Sequence, residues 1–319
     1  MRFNRAKHVA KIHLILAMSA ALLLASAGAA LAAGVWHKLE KQNIVVIGDR
    51  VVDIAYNLGV YPAAMGVRCS IWPLCDKIKM LAKPLGCPEC LINAKQDNLI
   101  DFINENNVKL VIIEKSDPFC ILKPDVKPTD VAPALKGLDV KVEYVDFSKG
   151  IEGAIVQTAA LLGKKKAGQA LAATYAKASA DLEAKIAQGK PGKRVVVLNG
   201  VYQPETTKTF IRVETPGGYS DKFILGPLGC QNVGDGLVPK GQTPDKGHVT
   251  IRKLDALATI QPQAIVITGD GAAVQKALAA TVAKHPELGR TPVYCLPLYI
   301  DSSVIERPQI VGKWLWALR

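Results

Sequence analysis

The chain has 319 residues, seven of them cysteine, and a formal net charge of +12. Its length suits one large or two modest α/β cores. Lys and Arg are dispersed and accompany no RNA- or DNA-binding motif, which excludes a nucleic-acid partner. The basic balance instead favours an anionic small ligand.

The first 32 residues read as a secretory signal. "MRFNRAKHVAKIH" is basic and has no acid, and "LILAMSAALLLASAGAALA" is apolar and ends in the small residues of Ala30-Leu31-Ala32. The run is short and weakly apolar for a membrane anchor. No cysteine lies near the expected cleavage point at Ala32, which argues against a lipoprotein. Losing Arg2, Arg5, Lys7 and Lys11 lowers the +12 by four, to +8. The expected location is the periplasm or another exported compartment.

From residue 33 to about 150 the chain alternates strands and helices. "NIVVIG" reads as a buried strand and "DRVVDIAYNLGV" as a helix. "AAMGVRC" reads as a strand ending at Cys69, "QDNLIDFINENN" as an amphipathic helix, and "VKLVIIEKS" and "VKVEYVDF" as strands. This order implies a mainly parallel sheet. Residues 151–190 are rich in Ala, Leu, Lys and Glu. They read as one or two helices, the longer from about Lys164 to Ala187, with a break at Gly163 and a stop at "QGKPGK". Residues 191–319 repeat the alternation with "RVVVLNG", "QAIVITGDG", "AAVQKALAATVAKH" and "TPVYCLPLY", and end in the helix "RPQIVGKWLWAL". The expected fold is α/β: two Rossmann-like lobes with mainly parallel sheets, joined by one long backbone helix. Ligands of such sheets bind beyond the carboxyl ends of the strands, here in the cleft between lobes.

This order of elements resembles the cobalamin- and iron-siderophore-type substrate-binding proteins of ABC importers, the class with a helical backbone between lobes. The stretches that carry the resemblance are "NIVVIGDRVVDIAYNLGVYPAAMGV", "DNLIDFINENNVKLVII", "LLGKKKAGQALAATYAKASADLEAKI", "HVTIRKLDALATIQPQAIVI" and "ERPQIVGKWLWAL". The resemblance implies a monomeric, non-enzymatic receptor that carries a metal chelate, corrinoid, haem or metal ion to an inner-membrane permease. A cysteine cluster departs from the usual pattern of that family.

Placed on that layout, Cys69, Cys87, Cys90 and Cys120 fall at strand ends or loops on one edge of the first lobe, with Cys75 in the loop after Cys69. His248 and Cys295 would approach from the second lobe. Clustered thiolates suit soft metals or iron–sulfur species, so a bound metal or metal–sulfur cargo is expected, with no other cofactor. Two other fates are open. Exported cysteines commonly pair as disulfides, and "CPEC" before a helix is the pattern of a thiol oxidoreductase or metallochaperone using Cys87 and Cys90. A scaffold for a cofactor, without transport, is a further alternative. Cys230 reads as structural.

The candidate ligand-binding residues are Trp72, Lys115, Phe119, Tyr202, Tyr219, Ser220, Asp270 and Tyr299. Tyr219 and Ser220 follow "TPGG" before a helix, where backbone N–H groups can hold an anion. Asp270 enters a helix and is equally suited to capping it. No Ser/His/Asp order, H-E-x-x-H or paired-carboxylate motif stands out.

Overall fold

A computed structural model describes residues 39–319; the signal expected over residues 1–32 lies outside them. The first lobe is a five-stranded sheet of β1 (Glu40–Ile47), β2 (Val60–Gly66), β3 (Lys83–Gly86), β4 (Leu110–Lys115) and β5 (Lys141–Asp146), in the order β3-β2-β1-β4-β5. Every pairing is parallel. Such sheets are covered on both faces, so their strands read as continuous apolar runs; Val45, Val46 and Ile47 are fully buried.

Helix α1 (Asp49–Asn57) follows β1 through Gly48, whose φ of 121° needs glycine. A Cβ there would come within 2.2 Å of Glu114 Cβ. Helices α2 (Pro88–Asn93) and α3 (Gln96–Glu105) precede β4. Leu99, Phe102 and Ile103 of α3 pack under one face of the sheet, while α1 covers the other.

The link is two helices, α4 (Gly150–Leu161) and α5 (Lys165–Ala187). Gly163 breaks them, with φ 71°. Ala154, Ile155 and Ala159 of α4 belong to the first lobe's core. The 23 residues of α5 span about 34 Å at 1.5 Å per residue. Lys164 pairs with Glu40 at its start, and Arg319 donates to the carbonyl of Lys185 near its end, so each end is tied to one lobe.

The second lobe contains β6 (Arg194–Gln203), β7 (Lys208–Glu214), β8 (Gln231–Asn232), β9 (His248–Ile251), β10 (Ala264–Gly269) and β11 (Val293–Cys295). The main order is β11-β10-β6-β7-β9, with β8 on β6. Strands β8, β10 and β11 join in parallel, while β7 pairs antiparallel with both β6 and β9. The antiparallel half is absent from the sequence reading. Strand β7 is only partly buried, and its polar, alternating "KTFIRVE" lacks the apolar run that marks a central strand. Helices α6 (Gly271–Lys284) and α7 (Arg307–Leu318) cover the sheet, with Trp314 of α7 fully buried. The segment before α7 crosses back: Ile300, Val304 and Ile305 complete the core of the first lobe.

Candidate functional site at the seam between lobes

The two lobes meet where the strands of the first sheet end. Asp49 and Arg50 follow β1, Arg68 follows β2, and Glu114 closes β4. From the second lobe come Tyr219 and the segment Asp301–Ser303. Arg68 is only 6% exposed and reaches both lobes. Its Nε donates to Asp49 Oδ2 at 2.7 Å, and its Nη2 to Asp301 Oδ1 at 3.0 Å and Ser302 Oγ at 2.9 Å. Its Nη1 donates to the Tyr219 hydroxyl at 3.0 Å. The guanidinium lies 4.3 Å above the ring of Phe119, a favourable cation–π distance. Arg50 Nη2 donates to Asp301 Oδ2 at 2.8 Å, and the Arg50 backbone N–H to Glu114 Oε2 at 3.0 Å.

Two guanidinium groups thus face the buried carboxylates of Asp49, Glu114 and Asp301, with Arg68 closed to water and Arg50 at the edge of the seam. Burial alone would pull the Arg68 pKa down; Asp49 and then Asp301 more than reverse it, so Arg68 stays charged. Burial raises Glu114, partly offset by Arg50 and the Ser116 hydroxyl. Asp53, one turn along α1, accepts the Ile305 N–H at 3.0 Å. Burial raises its pKa to about 7, opposed by that hydrogen bond.

A strap formed by residues 116–127 crosses the carboxyl edge of the first sheet. Pro118 accepts from Arg50, Phe119 lies under Arg68, Cys120 Sγ is 3.7 Å from the Tyr219 hydroxyl, and Lys123 pairs with Glu89 beyond β3. Leu122 packs against the second lobe near Gly247. The strap and the seam close the crevice around Arg68, while a cavity of about 540 Å³ lined by Leu74 and Lys77 of the first lobe and Leu298 and Lys313 of the second remains between the lobes.

The structure divides the cysteines that the sequence groups together into a bridge, a thiol pair and single thiols. Cys69 and Cys75 form a disulfide, so neither is a thiolate ligand here. Cys87 and Cys90 are thiols with sulfurs 3.0 Å apart at the start of α2. Cys87, half-buried, has its pKa pushed up to about 11 by burial and then by the Cys90 hydrogen bond. Cys120 is buried against Tyr219, Cys230 is buried, and Cys295 is exposed at the end of β11 beside Gln275. Among the described residues, no group of three or more His, Cys, Asp or Glu gathers to hold a metal ion.

Phe119 and Tyr219 share the seam. Tyr219 stacks on Phe223 at 6.0 Å, and Phe223 meets Tyr299 edge-on at 5.9 Å. Trp72, held on the turn that the Cys69–Cys75 bridge closes, is fully buried and donates to Ser303 Oγ at 3.2 Å. Trp72, Phe119 and Tyr219 are buried where the lobes meet, while Tyr299 packs into the second lobe's core. Lys115 lines a pocket of about 430 Å³ beside the seam, with Arg50, Lys127, Asp146, Phe147 and Ser148. Tyr202 is exposed on the β6–β7 hairpin. Asp270 caps α6 through Ala272 N–H at 3.0 Å. Ser220 is buried and donates its backbone N–H to Glu214 Oε1 at 2.6 Å, and His248 faces Glu214 across the β7–β9 pair.

The sequence reading misses Asp49, Arg50, Arg68, Glu114 and Asp301. The first four carry a recognisable signal: a charge directly after, or at the end of, a continuous apolar strand run. Asp301 follows no such run.

No family model matches the chain, and no curated protein matches it. Among solved structures, the periplasmic haem-binding protein BhuT, in complex with two haems, is 17% identical with a TM-score of 0.50, covering 88% of this chain and 98% of that one. The periplasmic vitamin B12-binding protein BtuF of Vibrio cholerae is 14% identical with a TM-score of 0.50, covering 88% of this chain and 97% of that one. The chain therefore has the two-lobed, helix-linked α/β fold of these periplasmic binding proteins.

Proposed function

We propose that this chain is an exported substrate-binding protein that captures an anionic, metal-containing cargo and delivers it to an ABC permease of the inner membrane. The cargo class comprises metal–sulfur species, iron chelates, corrinoids and haem. The observation that carries the reading is where the lobes meet. The carboxyl ends of β1, β2 and β4 confront the second lobe at the crevice where such sheets bind ligands, and a charged pocket opens beside it, where Arg50, Lys115 and Lys127 outnumber Asp117 and Asp146 by one. Receptor function asks only for a cleft, a modest closure and a surface for the permease.

The reading is tested by titrating the mature chain calorimetrically with haemin, cobalamin and a ferric hydroxamate. Binding of one of them at micromolar concentration is expected, with Lys115→Glu/Lys127→Glu weakening it at least tenfold. No binding across the panel would defeat it. A second reading, a thiol oxidoreductase or metallochaperone, is favoured by the 3.0 Å approach of Cys87 and Cys90. The raised Cys87 pKa opposes it, because the thiolate is the nucleophile. Insulin reduction that depends on both cysteines, with no cargo bound, would select this second reading.

A further inference from the structure

Four buried side-chain nitrogen or oxygen atoms lack a hydrogen-bond partner among the described residues: Thr158 Oγ1, Glu214 Oε2, Ser220 Oγ and His248 Nε2. Three of the four belong to one place. Glu214 ends β7, His248 begins β9, and the two are direct cross-strand partners. The backbone N–H of Ser220 holds the other oxygen of Glu214. Buried polar groups are almost always paired; the Ser220 hydroxyl lies close enough to the Glu214 carboxylate to lower its pKa, which leaves Glu214 Oε2 and His248 Nε2 as the pair that calls for an occupant.

The protonation pattern says what kind. His248 Nδ1 lies 3.0 Å from the Lys246 carbonyl oxygen. A carbonyl can only accept, so Nδ1 carries the proton and Nε2 presents a lone pair. His248 Nε2 lies 4.0 Å from Glu214 Oε2. The separation is too long for a hydrogen bond, so neither atom satisfies the other. A histidine whose second nitrogen donates to a backbone carbonyl, beside a carboxylate fixed by its own N–H donor, is the support that orients metal ligands.

We propose that Glu214 Oε2 and His248 Nε2, with the Ser220 hydroxyl beside them, hold one divalent transition-metal ion of the zinc–cobalt class in the second lobe. Imidazole nitrogen selects these ions over calcium and magnesium. Ligands about 2.0–2.1 Å from zinc lie about 3.0–3.4 Å apart when adjacent, so the pair closes by less than about 1 Å to grip the ion. His248 also lines a groove with Arg212, Thr243 and Asp245, while its Nε2 and the Glu214 Oε2 lie buried behind that groove. The site is separate from the seam pocket and does not rest on the receptor reading.

The test uses the full chain after dialysis against a chelator, titrated with Co2+ by absorbance and Zn2+ by calorimetry. One ion per chain is expected, with cobalt d–d bands and no thiolate charge-transfer band. His248→Ala and Glu214→Gln should each bind at least tenfold more weakly, while Cys87→Ser/Cys90→Ser binds as wild type does. Glu214→Gln gives a readout that does not depend on metal uptake. Its amide N–H faces the His248 lone pair, so without metal it should melt no lower than wild type, and only wild type should gain on adding zinc. The proposal is overturned by no wild-type binding of either ion below millimolar concentration, by full-strength binding in either single variant, or by binding that the cysteine changes abolish. Haemin, cobalamin or chelate titrations at the seam are read separately, so failure of either proposal leaves the other intact.

Discussion

Replacing Arg68 by methionine keeps the apolar stem and deletes the guanidinium. The change removes one donor each to Asp49, Tyr219, Asp301 and Ser302, together with the contact above Phe119. Asp49 is then buried at 0% exposure with only neutral donors, the Arg68 backbone N–H and the Ser302 hydroxyl, while Asp301 keeps Arg50. Removing one partner from a buried ion network costs about 3–5 kcal/mol, mostly for the charge left behind. Arg68→Met should lower stability by that amount in urea denaturation at neutral pH. Asp49→Asn in the same chain should return about half of it, because the stranded charge is gone. The double-mutant cycle should therefore show a coupling of about 2 kcal/mol or more. Because the bonds join the lobes, small-angle scattering should also show a larger radius of gyration for Arg68→Met. A destabilisation below about 1 kcal/mol, or additivity of the two substitutions, would refute the view that this cluster fastens the lobes.

Asp53, raised from 3.8 to about 7, binds its proton more tightly in the folded state, so its contribution is complete below about pH 4 and lost as pH rises towards 7. That rise corresponds to at most about 4 kcal/mol, and Asp53→Asn should flatten the fall in stability between about pH 4 and 7 seen by urea denaturation of wild type. Glu214, also raised to about 7 by burial against the Ser220 bonds, adds to the slope in the same direction. Cys69→Ser/Cys75→Ser opens a short loop and should cost about 2 kcal/mol, with Trp72 fluorescence shifting to the red as its turn loosens. A Cβ at Gly218 would come within 2.5 Å of Glu214 Oε1, so Gly218→Ala should cost about 1–3 kcal/mol and weaken zinc uptake, read by the same calorimetry.

The architecture was legible because buried parallel strands and an Ala/Lys/Glu-rich helix leave strong patterns; β1, β4, β10 and α5 lie where their residues place them. Strands β3 and β7 were not, since "KPLG" carries a proline and "KTFIRVE" is polar on one face. The site was less legible. The cysteines drew attention by composition, yet sequence spacing cannot say which sulfurs meet, and Cys69 chose its near neighbour Cys75. The residues that join the lobes are ordinary charges whose meaning appears only when Asp301 arrives 251 residues after Arg50. Likewise, nothing local marks Glu214 and His248 as partners; the β7–β9 register does.

The return of Ile300, Val304 and Ile305 to the first lobe makes the order of synthesis matter. Each is at least 91% buried, and together they contribute roughly 6 kcal/mol at about 2 kcal/mol per side chain. A nascent chain that has emerged only as far as α5 lacks these side chains, the Asp301 carboxylate for Arg68 and the Ile305 N–H for Asp53. Its first lobe waits, incompletely assembled, for the last twenty residues. Cooperative folding of the two lobes is thereby built into the covalent sequence, and a fragment ending at residue 190 should stay loosely packed until a 191–319 fragment is supplied in trans.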